Sequence, residues 1–146
     1  MRADDYAGFS SWLRDAMRRR GYEVDGPRAG GQQRLATDAG VSPGAISKYL
    51  TGKSLPRVDE MVKLAPYLGT TVREMLLRSG KVLEEDLVAA TGNPLVDPVL
   101  DRIYGLDHLP IEVRKARAED FLRRVADARK LTEAELDEDL TRHQQK

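Results

Sequence analysis

The chain has 146 residues, 40% of them hydrophobic and 33% charged, which is the composition of a soluble globular protein with a modest core and a heavily charged surface. It contains no cysteine, so disulfides and thiolate metal sites are excluded, and its formal net charge of zero argues at first against a nucleic-acid binder. No apolar run approaches the length of a membrane span and the N-terminus lacks a signal-peptide core, so the expected location is cytoplasmic, with no membrane partner.

Charge is unevenly distributed. Residues 1–80 hold 13 Lys/Arg and 9 Asp/Glu, a net +4, whereas residues 81–146 hold 11 and 15, a net −4. Taken in chain order, the segment from Asp4 to Arg20 places Phe9, Trp12, Leu13, Ala16 and Met17 at helical spacing. Arg18, Arg19 and Arg20 follow at its C-terminal end, where cations complement the helix dipole, and Gly21 is a stop signal. Tyr22 to Gly31 contains Gly26, Pro27, Gly30 and Gly31 and reads as a flexible loop.

Gln32 to Gly52 is the most informative stretch. Leu35, Ala36 and Ala39 mark a short helix that ends at Gly40; Ser42 and Pro43 then open a second one. This is the layout of a helix-turn-helix, whose second helix can enter the DNA major groove. Lys53 to Pro56 is a connector. Arg57 to Leu68 is a fourth helix with Pro66 tightening its last turn, ended by Gly69, and Thr70 or Thr71 caps a short fifth helix carrying Val72, Met75 and Leu76.

Beyond Gly80 the spacing predicts an acidic helix over Leu83 to Ala90 and a linker over Thr91 to Pro98. Asp97 and Pro98 read as a cap and a first helical residue of a helix that stops at Gly105. Pro110 opens a longer helix whose apolar stripe is Val113, Ala116, Phe121, Leu122 and Val125. The capping box Thr132–Glu135 and the staple Leu131–Leu136 then predict a break and a fresh acidic last helix. No strand-like alternation and no internal repeat appear. The expected fold is all-α: a five-helix helix-turn-helix domain over residues 1–80, then a smaller helical region over residues 81–146.

The elements Gln32-x-x-Leu35-Ala36, Gly40-Val41-Ser42, Ile46-Ser47, Gly52-Lys53, Pro56 and Leu64-Ala65-x-x-Leu68-Gly69 together resemble the XRE family, the lambda-repressor-like or Cro/CI-type helix-turn-helix, and look most like its actinobacterial versions. The resemblance covers about Phe9 to Leu77. It implies a transcriptional regulator of double-stranded DNA. Gln32, at a helix N-terminus where free amides attract a phosphate, would help clamp the backbone, with Ser42, Lys53 and Arg57 as further phosphate contacts. Base reading would fall to Pro43, Gly44, Ser47 and Lys48. Pro43 and Gly44 offer no side-chain hydrogen bond where many relatives carry long polar side chains. That leaves Ser47 and Lys48 as donors, the lysine able to reach guanine or to meet only phosphate, and gives shape readout more weight. Ala45 can touch a thymine methyl if it faces the groove. Arg28, in a loop longer than the family's usual one, either reaches a phosphate or the minor groove or is simply solvated. Ile46, Leu50, Leu35, Ala36, Ala39 and Val41 read as core, as do Trp12 and Phe9.

Residues 81–146 match no motif. They read as a dimerisation helix pair, a helical cap on the first domain or a docking surface for another protein; the acidic tail is a solvated face or a competitor of DNA. Two histidines far apart, His108 and His143, and the lack of a phosphate loop, nucleophile elbow or metal-ligand spacing point away from an enzyme, so no catalytic residue, metal or cofactor is expected. The favoured reading is a repressor acting as a homodimer. Alternatives are the antitoxin of a toxin–antitoxin pair and an interaction adaptor that has lost DNA binding.

Overall fold

The computed structural model describes residues 6–26 and 30–144; within the last helix the side chains of 131, 132, 135, 136, 139, 140, 143 and 144 are outside the description. Among the described residues there are seven α-helices and no strand: α1 (Ala7–Arg19), α2 (Gly31–Ala39), α3 (Pro43–Leu50), α4 (Val58–Leu68), α5 (Val72–Ser79), α6 (Asp97–Tyr104) and α7 (Ile111–Gln144). The five helices expected in the N-terminal half are all present.

The helices stop where the sequence supplies a stop. Gly40, Gly69 and Gly80 each adopt the left-handed conformation that ends α2, α4 and α5, a region open to glycine at little cost. Thr71, not Thr70, caps α5 through its hydroxyl. The core is formed by Phe9, Leu13, Met17, Leu35, Ile46, Met61, Leu64, Met75 and Leu76, all essentially inaccessible. Trp12 is half-buried with its ring 5.6 Å from that of Phe9, so it packs at the edge of the bundle.

Four sequence expectations fail in the C-terminal half. The acidic segment makes only a single 3-10 turn, Glu84–Asp86, and then runs extended. Leu87 is drawn into the core, while the Val88 amide donates to Tyr104 Oη (2.8 Å) and its carbonyl accepts from Arg73 Nε (2.8 Å), so helical hydrogen bonds are forgone. The segment before α6 is tied to that helix: the Asp97 carboxylate accepts from Thr91 N (2.9 Å), Thr91 Oγ1 (2.6 Å) and Gly92 N (2.8 Å). Asp97 is therefore the first residue of α6, not its cap.

The third and fourth failures concern α7. It runs unbroken for 34 residues through the expected break. No glycine or proline lies between Ile111 and Gln144, and apart from Thr132 the residues of the segment 131–136 are Leu, Glu and Ala, strong helix formers in an interior. Its inward face is Ile111, Arg114, Ala118, Phe121, Leu122 and Val125; Val113 and Ala116 point outward. Arg114 is only 9% exposed and donates to the Tyr104 carbonyl (3.0 Å) and the Leu109 carbonyl (2.9 Å), closing the end of α6 and the loop that follows. α6 packs on α5 and α7 on α6 and the 3-10 turn, so Leu87, Val96, Leu100, Tyr104 and Ala118 extend the core outward from α5.

Candidate nucleic-acid interface

The helix α2–turn–α3 unit is built from three interlocking contacts. Gly40 turns the chain, with its own amide and that of Val41 both directed at the Ala36 carbonyl (2.9 and 3.0 Å). Ser42 caps α3 by accepting from the Ala45 amide (3.1 Å), and Pro43 takes the first helical position, where no donor is needed. Gln32 Nε2 then donates to the Pro43 carbonyl (2.9 Å), joining the first turn of α2 to the first turn of α3.

The other end of α3 is held by α1. Ser10 Oγ lies 2.6 Å from the Tyr49 carbonyl and 3.0 Å from that of Tyr6, and its single proton serves the shorter contact. Arg14 donates to the Leu50 carbonyl (3.3 Å) and the Val24 carbonyl (3.3 Å). The orphan carbonyls at the C-terminus of α3 are thus satisfied by an adjacent helix, which fixes the tilt of α3 in the bundle. No motif or spacing in the sequence singles out Ser10 or Arg14; only their spatial neighbours reveal this role.

On α3 itself, Ile46, Tyr49 and Leu50 are buried, Ala45 and Ser47 are half-buried, and Ser42, Pro43, Gly44 and Lys48 are exposed. A Cβ added at Gly44 would meet only Ser42 Oγ at 3.6 Å, an ordinary contact, so nothing within the protein requires glycine there. The exposed first turn is a bare backbone surface with Lys48 one turn further on. Lys53 is exposed just after the left-handed Gly52, its amide bonded to the Lys48 carbonyl (2.9 Å). Arg57 precedes α4 and is exposed, but its guanidinium lies 3.5 Å from Asp59 and 3.8 Å from Glu60. A phosphate at this position would compete with two carboxylates.

The approach to α2 holds a residue that sequence reading passed over. A Cβ at Gly31 would lie 2.2 Å from the Glu23 carbonyl oxygen and 2.4 Å from the Glu23 nitrogen, because the Gly31 amide donates to that carbonyl at 2.9 Å. The loop before α2 is anchored at its start, contrary to the expectation of flexibility for this part. Tyr22 is buried and donates to Asp38 (2.8 Å), with the Arg34 guanidinium 5.1 Å from its ring centre, and Asp25 pairs with Arg18. Burial, and then the Asp38 contact, hold the Tyr22 phenol above its ordinary pKa. Arg28 lies outside the described residues.

A short helix tied at its N-terminus to α2 and at its C-terminus to α1, with its first turn exposed, is the arrangement of a helix-turn-helix. Residues 31–75 match the helix-turn-helix family, and this stretch is a domain of the XRE type. The chain is 51% identical over 45 residues to the 26 kDa repressor protein of Escherichia phage HK022, a match covering 31% of this chain. The match spans 19% of that relative, about a fifth of its length. No solved structure matches the chain. No described helix is long and apolar enough to cross a membrane.

Proposed function

We propose that the chain is a sequence-specific double-stranded-DNA-binding transcriptional regulator, a repressor that occludes a promoter in the cytoplasm as a homodimer. Residues 1–80 form the DNA-binding unit and residues 81–146 the dimerising region. The observation that carries this reading is the exposed first turn of α3, pinned to α2 by Gln32 and to α1 by Ser10 and Arg14. In the major groove this turn presents Pro43 and Gly44 as a close-fitting backbone surface, with Ser47 and Lys48 as base-edge donors. Gln32, the Ser42 turn, Lys53 and Arg57 engage phosphates, with Arg57 exchanging its carboxylate partners for the DNA; Arg28 adds a contact from the loop. Repression is consistent with the name of the phage relative.

The test is selection of genomic fragments by the purified protein, followed by affinity for the enriched site against salt. One inverted repeat with half-sites about one helical turn (~34 Å) apart and a steep salt slope supports the reading. The zero net charge and the ion pairs of Arg57 favour a second reading, an adaptor without DNA affinity. The absence of any enriched fragment would select it.

A further inference from the structure

α7 has two unlike parts. Through Val125 its inner face packs on α6 and the 3-10 turn; from Ala126 onward every described side chain, including Asp127, Glu133, Asp137 and Glu138, is exposed. With 34 residues it is about 50 Å long, and among the described residues its packed part ends at Val125. A helix of this size gains little from propensity alone and is stabilised chiefly by packing.

The two parts also differ in charge. Residues 111–130 hold seven Lys/Arg against four Asp/Glu, a net +3, whereas residues 131–144 hold one against five, a net −4. Arg114 and Lys115 are committed within the fold, to the Tyr104 and Glu85 carbonyls, and Asp120 lies against both Arg123 (3.7 Å) and Arg124 (2.5 Å), one carboxylate shared by two exposed guanidinium groups. Arg117, Arg123, Arg124, Arg129 and Lys130 are exposed, the first three beside the segment that packs on the body. A groove of about 240 Å³ opens here between the Thr91–Val96 loop and Leu122, Val125, Ala126 and Arg129 of α7, with Leu95 at 82% exposure on the same loop.

We propose that α7 pairs antiparallel with α7 of a second copy, the acidic end of each lying along the basic stretch of the other. The acidic end decides the direction. Without Arg114 and Lys115 residues 111–130 still carry a net +1, five Lys/Arg against four Asp/Glu; a parallel pair would set −4 against −4, whereas an antiparallel pair lays each acidic end along the other's basic stretch, twice by symmetry. The C-terminal part of each helix then crosses the partner's groove, adding apolar burial to the charge pairing. This deepens the homodimer reading above and is independent of whether α3 reads DNA.

The test uses the full chain. Sedimentation equilibrium should show a dimer that weakens as salt rises. Reversing Glu133→Lys, Asp137→Lys and Glu138→Lys, or Arg117→Glu, Arg123→Glu and Arg124→Glu, should each weaken the dimer by about tenfold or more, since every lost pair occurs twice. The protein carrying all six changes should dimerise again, which simple misfolding would not produce. Because the chain has no cysteine, Arg123→Cys and Asp137→Cys proteins can be mixed and treated with a short thiol cross-linker. Cross-links between 123 and 137 are expected. Links of 123 to 123 and 137 to 137 would overturn the pairing while leaving a dimer in place. A monomer at every salt concentration, or a dimer indifferent to both reversals, would overturn the pairing as well, the monomer removing the dimer reading with it. Genomic fragment selection is scored separately, so a failure of DNA binding is not mistaken for either.

Discussion

The side-chain amide of Gln32 donates to the carbonyl of Pro43 at 2.9 Å, tying the N-terminus of α2 to that of α3. One residue thereby occupies two positions of functional value: a helix N-terminus suited to a phosphate, and the hinge between the two helices. Gln32→Ala is expected to lower DNA affinity by a similar factor for all sequences, because a phosphate contact carries no base information. The exposed hydrogen bond adds about 0.5–1 kcal/mol of stability at most, so the melting temperature should move little. Fluorescence anisotropy on specific and scrambled duplexes checks this; a loss confined to the specific duplex would contradict it.

Gly44→Ala separates folding from binding. The added methyl group meets only Ser42 Oγ at 3.6 Å, so the protein accepts it and gains up to about 1 kcal/mol of helix propensity. If the α3 backbone approaches the groove closely at Gly44, the same variant binds DNA more weakly. The expected pair of results is a higher melting temperature with lower affinity.

Lys48 and Lys53 should respond differently to truncation. Lys48→Ala is expected to cost about 1–3 kcal/mol on the cognate site and to relax the preference at one base pair. Lys53→Ala should weaken binding evenly and lower the slope of log affinity against log salt by about one. Salt titrations on a set of single-base operator variants distinguish the two.

Gly31→Ala tests how the N-terminus of α2 is placed. Its Cβ would fall 2.2 Å from the Glu23 carbonyl oxygen, so the loop backbone must move. A loss of about 1–3 kcal/mol is expected from the overpacking, with lower DNA affinity because Gln32 is next in sequence. Denaturant melts give the first quantity; unchanged stability would show that the loop yields freely.

Asp97 and Asp101 predict opposite pH dependences. Burial raises the pKa of Asp101, which accepts from the Arg73 amide at 3.2 Å at the start of α5. The folded state therefore holds this proton more tightly than the unfolded chain, and stability from this group is lost as pH rises from the ordinary value near 3.8 through the raised one. Asp101→Asn keeps an acceptor without the charge. It should be at least as stable as the parent at neutral pH, with the difference fading in acid. Asp97 is the converse: the Thr91 hydroxyl and the backbone amides of Thr91 and Gly92 lower its pKa, so its contribution is present above about 3.8 and lost as pH falls through the lower value. Thermal melts across the acid range should show both signs.

The helix-turn-helix was legible because its signals are local. Gly40 needs only its own left-handed turn, Ser42 and Pro43 only their own helix start, and the burial of Leu35, Ile46 and Leu50 follows from helical spacing. These determined the all-helical class, the position of α3 and the choice of Gln32, Ser47 and Lys48 as candidates. Tertiary structure alone decided what holds that helix: Ser10 and Arg14 reach carbonyls 39 and 36 residues away, and no periodicity encodes such a pairing. It also decided the C-terminal half. Arg114 occupies a core position because its guanidinium can satisfy carbonyls of α6 and the loop that follows, and Val88 forgoes a helix because Tyr104 and Arg73 take its backbone groups. A hydrogen bond to a distant partner replaces one to a near neighbour at similar free energy, and only the folded chain shows which is made.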